Sequence, residues 1–118
     1  MDKDFLNNLK IIKKSGKTIG LVHGVFDVVH IGHLLYFEEA KKKVDYLIAS
    51  ITSDKFVNKS PMKPIFNAND RKKLLSSNKF IDFVVISNDY TAINIINSIK
   101  PNLYFKGREY KNIKNDLS

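Results

Sequence analysis

Apolar residues along this chain recur first with a helical period and then in short unbroken runs, and the alternation repeats to the end. Phe5, Leu6, Leu9 and Ile12 are spaced for one face of a helix, and Ser15-Gly16 offers a stop, so residues 4 to 15 are expected to be helical. TIGLVH, residues 18 to 23, reads as a buried strand. From Gly32 the helical period returns, with Leu34, Leu35, Phe37 and Ala40 apolar and Glu38 and Glu39 preceding Lys41, Lys42 and Lys43. Acids before lysines complement the helix dipole, which predicts a helix of about three turns. Tyr46 to Ile51 and Phe80 to Ile86 are the second and third strands. Between them Asn67 can cap a helix over 68 to 77, with Asp70 at its start and Leu74 and Leu75 facing inward, while Pro61 and Pro64 mark an irregular loop. Thr91 can cap a last helix with an apolar stripe of Ala92, Ile95, Ile96 and Ile99, which Pro101 ends before a fourth strand, Leu103 to Lys106.

Strands alternating with helices at this spacing imply βαβ crossovers and a parallel sheet covered on both faces. A chain of 118 residues forms one domain. Its 43% apolar and 27% charged residues suit a globular fold rather than a disordered one.

The absence of cysteine excludes disulfides and thiolate zinc sites. No apolar run reaches the roughly 20 residues of a bilayer crossing, and MDKDFLNNLK is too polar and acidic for a secretory signal, so the chain is expected in the cytoplasm without a membrane partner. The formal charge of +8 points to polyanionic partners. Lysine-rich usage is the bland explanation, since the lysines are scattered through KIIKKSGK, AKKK, NKSPMK and RKK, and the charge fits a small-phosphate site as well as nucleic acid, which is not the expected partner.

The chemistry concentrates between the first strand and the following helix, in GVFDVVHIGHLL, residues 24 to 35. In an open α/β sheet, ligands bind at the carboxyl ends of the strands, where helix N-termini present unpaired N–H groups to anions. Gly24 and Gly32 let backbone approach a ligand, and imidazoles three residues apart, at His30 and His33, can reach the same side of the first helical turn. Three readings stay open on spacing alone: an anion-stabilising pair, histidines that satisfy local hydrogen bonds, and a metal site, for which a third ligand is missing.

GVFDVVHIGH resembles the nucleotide-binding signature of the cytidylyltransferase-like nucleotidyltransferases, GxFDxxHxGH, and every fixed position of that pattern is present. SITSDKF, residues 50 to 56, and Asn69-Asp70-Arg71 with Leu74-Leu75 are similar to later landmarks of the family. KGREY, residues 106 to 110, is similar to a block of its sugar-phosphate adenylyltransferase branch, the ADP-heptose synthase type, with Glu109 standing where aspartate is usual. Class I aminoacyl-tRNA synthetases share the HIGH tetrapeptide but are far longer.

The resemblance implies a Rossmann-like, doubly wound parallel sheet of the HxGH nucleotidyltransferase type. It also implies that a phosphorylated acceptor attacks the α-phosphorus of CTP or ATP and releases pyrophosphate. By matching positions, His30 and His33 hold the triphosphate and stabilise the transition state, Lys63 joins them in catalysis, and Val25, Phe26 and Gly32 contact the nucleotide. Lys59, Arg71, Lys106, Gly107 and Arg108 complete the implied nucleotide site, with Arg71 equally readable as a salt-bridge partner and Asp27 read as structural rather than as a magnesium ligand. Magnesium is expected on the nucleotide phosphates, with no metal bound by side chains alone, and a homodimer is implied by the relatives' habit. Relatives carry a serine- and threonine-rich segment after the KGREY-like block, and the chain ends at Ser118 before one, so residues 1 to 118 are expected to be an incomplete domain of a longer protein. The competing reading, from the charge, is a non-catalytic nucleotide- or RNA-binding module on the same fold.

Overall fold

The computed structural model describes residues 2–57, 65–89, 91–106 and, as backbone, 109–112. The elements in chain order are α1 (Lys3–Lys14), β1 (Ile19–Gly24), α2 (Ile31–Lys41), β2 (Tyr46–Thr52), α3 (Asp54–Val57), α4 (Ala68–Ser76), β3 (Phe83–Ser87), α5 (Ile93–Ile99), β4 (Leu103–Lys106) and β5 (Glu109–Asn112). The strands form one sheet in the order β3-β2-β1-β4-β5. The first four are parallel, and β5 pairs antiparallel to β4. The expected doubly wound sheet is present, with an antiparallel edge added.

Two apolar layers cover the sheet. Phe5, Leu9 and Ile12 of α1 and Ile95, Ile96 and Ile99 of α5 pack on Ile19, Leu21, Ile48 and Val85. On the other face Phe37 and Ala40 of α2 and Leu75 of α4 meet Val22, Leu47, Ala49, Ile51 and Phe105. Alternate strand residues therefore serve opposite layers, as a sheet buried on both sides requires. Loss of a side chain as completely enclosed as Phe37 would cost about 3–5 kcal/mol.

Several expectations need correction. Leu34 and Leu35 are 37% and 55% exposed. The 3.6-residue period sets Phe37 and Ala40 on the buried row of α2 and turns these two leucines away from it. Leu74 is 50% exposed, because the buried row of α4 runs through Ala68, Arg71 and Leu75. Asn67 caps α4 as expected, its side chain accepting from the Asp70 amide at 2.9 Å. Thr91 accepts from the Ile93 amide at 3.3 Å, but the capping position itself is Ala92. The third strand starts at Phe83 rather than Phe80, since Asn78 accepts from the Phe80 amide at 2.8 Å and holds that stretch in a turn.

Candidate functional site

β1 is flanked by β2 on one side and β4 on the other, so the crossovers leave it in opposite directions and open a crevice at its carboxyl end. The loop from Val25 to His30 enters that crevice and passes directly into α2, with His30 as the N-cap residue.

The two histidines of the loop bind backbone with the same ring atom. His30 Nδ1 accepts from the Gly32 amide at 3.0 Å, and His33 Nδ1 accepts from the His30 amide at 3.1 Å. An amide can only donate, so each Nδ1 presents a lone pair, and in the neutral ring the proton stands on Nε2. The rings lie 4.2 Å apart, tilted 49°. Burial, reinforced by the neighbouring His30, lowers the His33 pKa below the ordinary histidine value and keeps that ring neutral at pH 7. Local capping and ligand binding are thus compatible in one arrangement, because the capping atoms and the outward donors are different nitrogens.

Gly32 is required by this geometry. A Cβ there would stand 2.8 Å from Cε1 and 3.0 Å from Nδ1 of His30, so any side chain displaces the ring. Phe26 takes a left-handed backbone, φ 51°, which costs of order 1–3 kcal/mol in a non-glycine residue. Its ring meets His33 edge-on at 5.8 Å and Phe37 at 5.5 Å, supporting the histidine from the core side.

Asp27 ties the loop to a distant segment. Its two carboxylate oxygens accept from the amides of Ile65, at 2.7 Å, and Phe66, at 2.9 Å. Those two amides, and less so Arg71, hold its carboxyl below the usual carboxylate range. Both oxygens are therefore engaged in joining the loop after β1 to the lead-in of α4, which agrees with the structural reading of this residue.

Arg71 is completely buried. It donates to the carbonyls of Phe66 at 3.0 Å, Val25 at 2.9 Å and Thr52 at 2.7 Å, and pairs with Asp54 at 2.7 Å. Asp54 also accepts from the Ala68 amide at 3.1 Å, and that amide, with the Arg71 guanidinium, holds its carboxyl below the ordinary value against the opposing effect of desolvation. Of the two readings offered for Arg71, the geometry takes up the ion-pair one. The guanidinium faces protein rather than the crevice, and it positions the Val25 carbonyl instead of contacting a ligand.

Val25 is exposed at the mouth of the crevice, and Lys106 is exposed at the end of β4, the strand beside β1. Tyr36 donates from its hydroxyl to the Phe105 carbonyl at 2.8 Å, fastening α2 to β4 along one wall. The structure thus gathers Val25, Phe26, His30, Gly32, His33 and Lys106 around the carboxyl ends of β1 and β4, with the Arg71 guanidinium on the Val25 carbonyl. Lys59, Lys63, Gly107 and Arg108 lie outside the described residues. Sequence reasoning missed the partnership of Asp54 with Arg71 and that of His23 with Ser50. The acid following the second strand was the available signal for the first.

An open parallel sheet whose first strand leads through GVFDVVHIGH into a histidine-capped helix defines a nucleotidyltransferase-type α/β domain, and residues 21–117 match the cytidylyltransferase-like family model. The chain belongs to the cytidylyltransferase-like family. It is 37% identical over 107 residues to the bifunctional protein HldE of Campylobacter fetus and 39% identical over 105 residues to that of Sulfurimonas denitrificans. These alignments cover 89% and 87% of this chain but only 23% and 22% of those proteins, so the chain spans less than a quarter of their length. Among solved structures, it is similar to the lipopolysaccharide core biosynthesis protein from Thermoplasma volcanium, with a TM-score of 0.70 and 29% identity over 75% of this chain and 73% of that one.

Proposed function

We propose that this domain transfers a nucleoside monophosphate from ATP or CTP to a sugar phosphate or alcohol phosphate. A phosphate oxygen of the acceptor attacks the α-phosphorus, a bond forms there, the bond to the β-phosphate bridging oxygen breaks, and pyrophosphate leaves. The acceptor phosphate is already largely dianionic at neutral pH, so the reaction needs alignment and charge neutralisation rather than a strong base.

The observation that carries this reading is the pair of Nδ1 acceptors. With both Nδ1 atoms committed to backbone, His30 and His33 offer two Nε2–H donors at the N-terminus of α2, a position suited to phosphoryl oxygens that gain charge in the transition state. Gly32 keeps the first ring in place, Val25 and Phe26 lend loop backbone to the nucleotide, and Lys106 adds positive charge at the neighbouring strand end. Lys59 and Lys63 are assigned to the phosphates by the family resemblance, Lys63 with a catalytic role, and Gly107 and Arg108 to a phosphate or base contact by their place in the sequence after the fourth strand.

Both Asp27 oxygens accept from backbone amides, which holds this carboxylate in the loop, and magnesium is assigned to the triphosphate by the family resemblance. When bound there, the ion neutralises phosphate charge. The similarity to HldE proteins and the KGREY block favours ATP with a sugar phosphate.

Calorimetric titration with ATP, CTP and GTP in magnesium, beside a His30→Ala, His33→Ala double variant, tests the reading. Selective binding of one triphosphate that vanishes in the variant is expected. Triphosphate binding that survives loss of both histidines, or binding of RNA with a steep salt dependence and no triphosphate selectivity, would favour the basic-surface module implied by the +8 charge.

A further inference from the structure

The chain has three histidines, and the third lies outside the HIGH tetrapeptide. His23 stands near the end of β1, directly across from Ser50 of β2 in the sheet register. Strand alternation sets it with Leu21 on the face covered by α1 and α5, opposite the face that carries α2. One step down the same column, Leu21 and Ile48 are fully buried and apolar. The column turns polar only where the strands open into the crevice, so a buried core does not account for the pair.

His23 Nδ1 and Ser50 Oγ are 2.6 Å apart, and the serine is completely buried. The imidazole is thereby fixed in rotation. Among the described residues its Nε2 has no hydrogen-bond partner, and the ring is only partly buried. Asp89, just beyond β3, acts on the ring electrostatically and itself accepts from the Asn94 amide group. Lys106 ends β4 on the other side of β1.

We infer that His23, with Ser50 and Asp89, forms a hydroxyl-recognising subsite at the carboxyl ends of β1 to β3, one that takes vicinal hydroxyls of a sugar ring. The donor set decides the ligand class. Burial keeps this imidazole neutral, and a nearby carboxylate repels phosphate, whereas a hydroxyl can donate to the carboxylate and exchange a hydrogen bond with the ring in either tautomer. The sugar has two possible sources, the ribose of the nucleotide and the sugar of the acceptor. The inference rests on the nucleotidyl-transfer reading, since that supplies both.

The test uses His23→Asn and His23→Gln. Asparagine keeps a polar atom facing Ser50 and has none where Nε2 stands, while glutamine reaches the Nε2 position. Binding of ATP, CTP, 2′-deoxy-ATP, mannose 1-phosphate and glucose 1-phosphate would be measured, together with the nitrogen-15 signals of the three imidazole rings. We expect about tenfold weaker binding of one ligand class in His23→Asn and recovery in His23→Gln. Weakening of ATP but not 2′-deoxy-ATP assigns the ribose, and weakening of a hexose phosphate assigns the acceptor sugar. If triphosphates shift the His30 and His33 rings but neither they nor the hexose phosphates move His23 Nε2 or respond to its replacement, the subsite is refuted and the transfer reading stands. If no ring responds to any triphosphate, the transfer reading fails and this subsite with it.

Discussion

Arg71 donates to the carbonyl of Val25 at 2.9 Å across 46 residues of sequence, from the nitrogen that also donates to Thr52 at 2.7 Å. One buried cation therefore sets the height of the loop after β1 against the end of β2. Replacement by alanine removes the fully buried guanidinium and, with it, a donor to three carbonyls and to Asp54. Arg71→Ala should lose about 3–5 kcal/mol of stability in urea unfolding. Arg71→Lys should lose part of that, because one ammonium cannot reproduce the planar fork. An alanine variant as stable as the parent would remove the positioning role.

Gly32→Ala separates folding from site geometry. Alanine favours the helix over glycine by about 0.5–1 kcal/mol, which offsets a loss of similar size from the displaced His30 cap, so unfolding should be nearly unchanged. The added Cβ meets His30 at 2.8 Å and must move the ring. Triphosphate affinity should fall by about tenfold while stability does not, as loss of one charge-assisted hydrogen bond predicts. Parallel calorimetry and thermal melts would read both, and unchanged affinity would mean that His30 does not touch phosphate.

The pattern of apolar residues located α1, β1, β2 and β4 to within one or two residues, because each is a local signal matched by its surroundings. It did not reveal α3, a helix of four residues, or β5, whose four residues EYKN acquire meaning only by pairing back on β4. The HIGH loop was legible because glycine and histidine spacing is a local property. The partners of Arg71 and the pairing of His23 with Ser50, 27 residues apart, depend on which strands become neighbours, and periodicity carries no information on that. Leu74 was placed inward beside Leu75 by its apolar character, although the buried row of α4 excludes it.

Acid should unfold this protein in two stages. Asp27 is held low by the Ile65 and Phe66 amides, Asp45 by the amide and hydroxyl of Thr18, and Asp54 first by the Ala68 amide. A folded pKa below the unfolded one means that the unfolded chain takes up more protons, so these contributions are complete above about pH 4 and drain away below it. His23 and His33 are also lowered, chiefly by burial, so a shallower loss begins as pH drops below about 6.5, where only unfolded rings protonate readily. Urea midpoints measured from pH 8 to 2 should show both limbs. Asp45→Asn, remote from the crevice, should flatten the lower limb without altering ligand affinity, and an unchanged limb would assign acid sensitivity elsewhere.

His33 should matter more to the rate than to binding. Its Nε2–H is held ready by the Nδ1 contact to the His30 amide, so no reorganisation is needed as charge builds on the phosphoryl oxygens. Removing one such donor from a comparable preorganised site costs about 2–4 kcal/mol of transition-state stabilisation, or roughly 10²–10³ in kcat. His33→Ala should show that loss in pyrophosphate release, with triphosphate affinity changed only a few-fold. A variant that loses affinity and rate in equal proportion would instead assign His33 to ground-state binding. Turnover at the parent rate would place the chemistry on other residues.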